Sequence, residues 1–280
     1  MFKNYYRLTK PGIIYGNILT AVAAFIFASA QRPNIFLMTA MLVGLSAVIA
    51  AACVVNNVLD RDIDLRMERT KARAIPTGRI SIRSALWFAA ILFIVGCATL
   101  FFFTNLLTLA VALFGVVVYI ALYTPLKRRS VHSTIVGALA GAVPPVVGYA
   151  AVTSTLDATA LSLFFILVCW QMPHFFAIAI YRLKDYREAG LPVMPVRFGI
   201  PRTKIQMLIY TILFATAAFL LYFIRHLGLL YVFTLGALSF GWISLSLSGF
   251  STRDSNKWAR TMFFYSLVVI LLFSLVLALS

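Results

Sequence analysis

The sequence is poor in charge, and poorest in acid. Only 11% of its 280 residues are Asp, Glu, Lys or Arg, and eight acids stand against 24 bases. A soluble globular domain of this size needs far more charge, so that class is excluded. The three cysteines, Cys53, Cys97 and Cys169, each sit in an apolar run without CxxC or Cys/His ligand spacing. They read as small hydrophobes, not as a disulfide framework or a metal site. Of the three histidines, His132 and His226 fall at the ends of apolar runs and only His174 lies inside one. No P-loop, nucleophile elbow, HExxH or GxGxxG in a strand–helix setting occurs, so hydrolase and nucleotide-motor readings find little support. The N-terminal residues do not read as a cleavable signal or a long Arg/Ser-rich transit segment, and neither is expected. Lys3, Arg7 and Lys10 lead almost at once into an apolar stretch, which favours a bacterial inner membrane.

What fills the chain is apolar: 62% of residues are hydrophobic and mean hydropathy is +0.96. The long uncharged runs accommodate spans of ~20 residues each. They fall at roughly 13–30, 36–58, 84–103, 106–124, 132–152, 158–180, 205–224, 228–247 and 261–279. The expected fold class is an all-α polytopic membrane protein with about nine transmembrane helices, forming one domain over 1–280. With nine spans, the N-terminus and every second loop hold all Lys and Arg except Arg32 and Arg225. The positive-inside rule then sets the N-terminus and the long polar loops in the cytoplasm. Membrane orientation accounts for the net charge of +16 without any nucleic-acid partner. The two long inner loops, 61–83 and 182–204, both open on acids and turn basic. This suggests a weak internal repeat of spans 1–4 and 5–8, followed by a ninth helix.

The polar stretch Asn56–Arg79 carries four of the eight acids, Asp60, Asp62, Asp64 and Glu68. At ~100° per residue on a helix, Asn56, Asn57, Asp64 and Glu68 fall within about 80° of Asp60, and Asp62 falls on the far side. An oxygen-rich stripe followed by guanidinium and ammonium groups suits a hard divalent cation bridging carboxylates to phosphates. The competing reading is a solvated helix end with i,i+4 ion pairs, preferred for Asp62 with Arg66. Arg69, Lys71 and Arg73 alternate, and an extended loop would point all three at a diphosphate; the alternative is membrane orientation alone. Lys127 and Tyr123 end the fourth span, suited to phosphate and to substrate or carbocation, or else to the interface. Trp170, His174 and Phe175 surround Pro173 inside the sixth span, where a proline can kink the helix and open a cavity. A lone histidine is more often a hydrogen-bonded core residue than a ligand. Asp185 could hold a second cation or pair locally with Lys184 or Arg182. Asn17, inside the first span, is expected to face protein.

At these residues the sequence resembles the UbiA superfamily of intramembrane prenyltransferases, whose first signature, NDxxDxxxD, stands here as Asn56-Asn57-x-x-Asp60-x-x-x-Asp64. TKPGII at 9–14, MERTKAR at 67–73, PPVVGYAAVT at 144–153, WQMPHF at 170–175 and KDYREAGLPVMPV at 184–196 are similar to its haem-farnesylating branch. The resemblance covers nearly the full chain. It implies a central cavity opening near the cytoplasmic face, and Mg²⁺-dependent transfer of farnesyl from farnesyl diphosphate to a vinyl group of haem B. Water addition would complete a haem O product for haem–copper oxidases. It further implies Asn56, Asp60, Asp64 and Asp185 at the metal, and Lys71, Arg73, Lys127 and Arg69 at the diphosphate. Tyr123, Trp170, Phe175 and Asn57 would line the substrate pocket, with His174 beside the haem. The lipid bilayer, and a haem A synthase or oxidase assembly factor, are the partners this implies. Two departures stand out: Asn57 replaces a carboxylate, and the second aspartate-rich motif is thinned to Asp185 and Glu188. An aromatic quinone precursor as acceptor is the second enzyme reading. A transporter is the non-enzyme one, against which the one-sided carboxylates speak.

Overall fold

The computed structural model describes residues 1–280 and contains helices and no strands. A short basic helix, α1 (Phe2–Leu8), leads into α2 (Pro11–Ala28) and α3 (Ile35–Leu59). The single turn α4 (Arg61–Asp64) and a run of tight turns precede α5 (Ile82–Phe103) and α6 (Leu106–Val117). α6 continues through a π-helical segment, Val118–Tyr123, into α7 (Thr124–Leu126). Two half-spans follow, α8 (Ser133–Gly141) and α9 (Val143–Thr153), meeting at Ala142. α10 (Ala158–Tyr181), the short α11 (Leu183–Glu188), α12 (Met194–Arg225), α13 (Leu229–Ser248) and α14 (Ser255–Ala278) complete the chain. Nine of these helical stretches are long and apolar enough to cross a membrane.

Two spans extend beyond the positions suggested by hydropathy. α12 starts at Met194 rather than near 205, and Gly199, at φ +80°, breaks it before Pro201 restarts the helix. That backbone conformation is open to glycine and closed to most other residues. α14 starts at Ser255 rather than 261, because the Asp254 carboxylate caps the amides of Asn256 and Lys257 at 3.0 Å each. Both extensions carry charge, so an apolar window cannot see them. α10 runs through Pro173 as one helix.

Close approach replaces the hydrophobic effect as the organising force between lipid-facing helices. Gly44 of α3 and Gly96 of α5 face each other so tightly that a methyl on Gly96 would lie 2.9 Å from Gly44 O. Gly148 of α9 lies directly against the Ala21 carbonyl of α2. α10 is the most enclosed span, 72% of its most apolar window being buried against 17% in α5, whose Trp87, Ile91, Ile94 and Phe102 point outward. α10 is therefore the central post. The start of α2, the end of α3, α7, α11 and the end of α10 all meet at the end of the bundle that carries the basic loops.

Candidate active site

The last turn of α3 carries Asn56 and Asn57, and Asp60 stands at its C-cap. Asp64 follows one turn later, its amide donating to Asp60 O at 2.8 Å. All four side chains are buried. The helical stripe holds as far as Asp64 and then ends, because the chain tightens: Thr70 Oγ1 donates back to Asp64 O at 2.9 Å. Glu68 consequently leaves the stripe and pairs with Lys71 at 2.6 Å on the exposed surface.

Basic groups from three parts of the chain converge on the stripe. Lys127 donates to Asp60 Oδ2. Arg73 straddles both Asp64 oxygens at 2.9 Å and reaches Asn57 Oδ1 at 3.2 Å. Lys10 Nζ donates to Asn56 Oδ1 at 2.5 Å. Asn56 Nδ2 donates in turn to Thr124 Oγ1 at 3.0 Å, and that hydroxyl donates to Tyr119 O at 2.8 Å. One oxygen is left out: Asp60 Oδ1 is buried and has no hydrogen-bond partner. A bare buried carboxylate oxygen is costly and calls for a cationic or donating partner. With Asp64 and the Asn56 amide it offers oxygen only, the donor chemistry that a hard divalent cation takes.

Lys10 reaches this cluster through an unusual backbone. It stands at φ 53°, ψ 63°, a left-handed conformation rare for a lysine, and Pro11 starts α2 behind it. Burial pushes its ammonium down to about 8. Outside the cluster, Asp62 pairs with Arg128 through two contacts of 2.7 Å. Those hydrogen bonds hold its carboxyl down at about 2.

The π-helical segment forms the adjoining wall. Pro125 has no N–H and its ring crowds the carbonyl one turn back, so the helix widens before it. Tyr119 and Tyr123 stack at 5.5 Å with 17° between their planes, and Lys127 Nζ lies 5.6 Å over the Tyr123 ring. Gly137 of α8 leaves room for that ring, since a methyl there would meet it at 3.0 Å. Deeper in, Trp170, His174 and Phe175 of α10 line the same pocket. Its volume is about 570 Å³ and apolar residues make up most of its wall.

The pocket gathers Asn56, Asp60, Asp64, Arg69, Arg73, Lys127, Tyr123, Trp170, His174 and Phe175, as well as Asn17. Four expectations are corrected. Lys71 is not at the pocket: residues 65–80 form turns, so Arg69 and Arg73, four apart, face inward while Lys71, between them, faces out to Glu68. Asn57 supports the site from behind, donating to Leu8 O at 2.8 Å and accepting from Arg73, and does not line the pocket. Asp185 lies half-exposed on α11 and outside the pocket, which its neighbour Tyr186 lines instead. No three carboxylate, imidazole or thiolate side chains converge on one point. Asp62 pairs with Arg128 rather than Arg66, because α4 is a single turn and offers no i,i+4 face. Lys10, Tyr119, Gln171 and Tyr186 are pocket residues that the sequence reading did not single out. The signal for Lys10 was a basic residue directly before a helix-starting proline.

Comparison with known proteins agrees with this architecture. The profile of the UbiA prenyltransferase family matches residues 17–268. A protoheme IX farnesyltransferase of Protochlamydia amoebophila is 44% identical over 98% of this chain and 97% of its own length. A protoheme IX farnesyltransferase 2 of Pseudomonas paraeruginosa is also 44% identical, over 99% of this chain and 94% of its own. Among solved structures, a digeranylgeranylglyceryl phosphate synthase superposes with a TM-score of 0.82 at 16% identity, covering 99% of this chain and 97% of that one. A UbiA homologue of Archaeoglobus fulgidus bound to GPP and Mg²⁺ gives 0.69 at 17% identity, covering 99% and 100%. The residues that carry the signature, the nine spans and the near-complete alignment agree: this chain is a member of the UbiA prenyltransferase family.

Proposed function

We propose that this protein transfers the farnesyl group of farnesyl diphosphate to a vinyl group of protohaem IX. Water adds in the same overall reaction, giving a hydroxyethylfarnesyl side chain and free diphosphate. The observation that carries the reading is the pairing of two unlike ends within one pocket. One end is a buried carboxylate–amide stripe ringed by Lys10, Arg73 and Lys127, and the other is apolar and aromatic. The first suits a metal–diphosphate and the second an isoprenoid and a porphyrin. The protoheme IX farnesyltransferases at 44% identity support the choice of acceptor, and the Mg²⁺ and GPP held by the Archaeoglobus homologue support the metal and the donor class.

In this reading Asn56, Asp60 and Asp64 hold Mg²⁺, which when bound supplies positive charge against the diphosphate. Arg69, Arg73, Lys127 and Lys10 take the remaining phosphate charge, so the developing leaving group is neutralised by this chain's own cations. The faces of Tyr119 and Tyr123 stand beside the stripe, where an allylic cation gains from their quadrupoles. The apolar wall keeps bulk water from that cation until the vinyl carbon has attacked. The N-terminus and the loops around the site face the cytoplasm of a bacterial inner membrane, consistent with the lopsided Lys and Arg.

The test uses purified protein in detergent with Mg²⁺, farnesyl diphosphate and haem B. A product with the mass of farnesylated, hydrated haem, lost on adding EDTA, is the expected result. Unchanged haem together with prenylation of an aromatic acid would overturn the acceptor and keep the diphosphate site. No product with either acceptor would overturn the enzyme reading.

A further inference from the structure

The proton on His174 can be located by counting donors. Its Nδ1 lies 2.7 Å from Ser266 Oγ of α14, and Ser266 Oγ donates to Phe263 O at 2.6 Å. A serine hydroxyl has one proton to give. With that proton committed to Phe263 O, the hydroxyl accepts from the ring, so Nδ1 carries the imidazole proton and Nε2 keeps its lone pair. Nε2 makes no hydrogen bond, and the half-buried ring lines the pocket. The lone pair is therefore available to whatever fills the pocket.

The ring is also held in place. Trp170 stacks on it at 5.0 Å, Phe263 packs at 4.9 Å and the edge of Phe175 at 5.7 Å. Trp170 Nε1 donates to Ser266 O at 2.7 Å, so one residue of α14 anchors two of α10. Ser266 is completely buried and does not line the pocket, so it acts through its neighbours. A neutral imidazole, fixed in plane and tautomer with an open Nε2, is a good ligand for iron, and a partner on the other ring nitrogen is what orients such ligands.

We infer that His174 Nε2 ligates the iron of the porphyrin acceptor, and that Ser266 is the positioning residue that selects this tautomer. The inference rests on the haem-acceptor reading above. Ligation through the iron would fix the height and tilt of the macrocycle in the pocket without touching the vinyl groups.

The experiment titrates ferric haem into the detergent-purified protein and follows the Soret band and the electron paramagnetic resonance of the iron. Binding of farnesyl diphosphate is measured separately by calorimetry as a check on folding. Wild type is expected to show an axial nitrogen ligand. His174→Ala should lose it and regain it on adding free imidazole. Ser266→Ala, which removes one oxygen and little volume, should keep the nitrogen ligand but bind haem about 10-fold more weakly, with farnesyl diphosphate affinity unchanged. A wild-type spectrum in His174→Ala would overturn the ligation, and wild-type haem affinity in Ser266→Ala would overturn the positioning role. If wild type farnesylates haem yet shows no nitrogen ligand, the inference fails and the function stands. If wild type neither binds nor farnesylates haem, the acceptor reading fails and the inference with it.

Discussion

Asp60 and Asp157 are both aspartates at the end of a helix, and the protein treats them in opposite ways. Asp157 caps α10: its Oδ1 accepts from the amides of Thr159 and Ala160 at 2.9 and 3.0 Å, and its Oδ2 from Tyr149 Oη at 2.7 Å. Each of its oxygens has a donor. Asp60 lies at the C-cap of α3, the end where backbone carbonyls are exposed and a carboxylate is unfavourable. It is buried, tied to Lys127 through one oxygen and bare at the other. The first arrangement stabilises a helix. The second spends stability, which residues do where they serve a ligand.

The sharpest way to break this contrast is to remove each charge in turn. Asp60→Asn or Asp64→Asn is expected to lower turnover by about 100- to 1,000-fold, with the protein still monodisperse and its haem binding intact. A variant with normal turnover would remove the stripe from the mechanism. Next in size is Lys10→Met. Loss of one charge-assisted contact should raise the KM for farnesyl diphosphate by about 10-fold or more, and Lys10→Arg should recover part of it. An unchanged KM would make Lys10 a structural partner of Asn56 and nothing else.

Asp157→Ala is expected to do the reverse: to cost about 1 kcal/mol of stability, as a lost cap does, at unchanged turnover. Burial alone would raise the Asp157 carboxyl, but the hydrogen bonds from Tyr149 and the Ala160 and Thr159 amides outweigh it and hold it below the ordinary value. A carboxyl depressed in the folded state contributes stability above its unfolded pKa and loses it as pH falls through the folded one. The gap in Tm between wild type and Asp157→Ala should therefore narrow below about pH 4. A gap that stays constant would mean the charge plays no part. The smallest effect is expected at Lys71→Ala, since an exposed pair with Glu68 is worth little. A raised KM for the diphosphate there would return Lys71 to the site.

Much of this was legible along the chain because it is local. Helical spacing is enough to put Asn56, Asp60 and Asp64 on one stripe, and hydropathy alone finds nine spans. The failures are the non-local facts. Lys127 and Arg73 were candidates for phosphate, but nothing in their spacing says that they grip Asp60 and Asp64. Arg128 reaches Asp62 across 66 positions, and Ser266 reaches His174 across 92. Lys71 lies outside because residues 65–80 form turns instead of the extended loop that its alternation with Arg69 and Arg73 suggests, which puts alternate residues on different faces. The resemblance implies Asp185 at the metal, whereas α11 turns Tyr186 to the pocket instead. Lys10 escaped because its reach depends on one left-handed residue, and no periodicity announces that.

The π-helical segment at 118–123 has a consequence for the history of this span. A π turn holds one residue more than an α-helix needs, so the chain here contains a slack position. Elsewhere in a packed helix, losing a residue would rotate everything beyond it by ~100°. Here a single deletion could be absorbed by closing the turn, leaving the buried faces on either side in register. The only casualty would be the alignment of Tyr119, Tyr123 and Lys127 against the stripe. That makes this wall adjustable by one residue without rebuilding the fold.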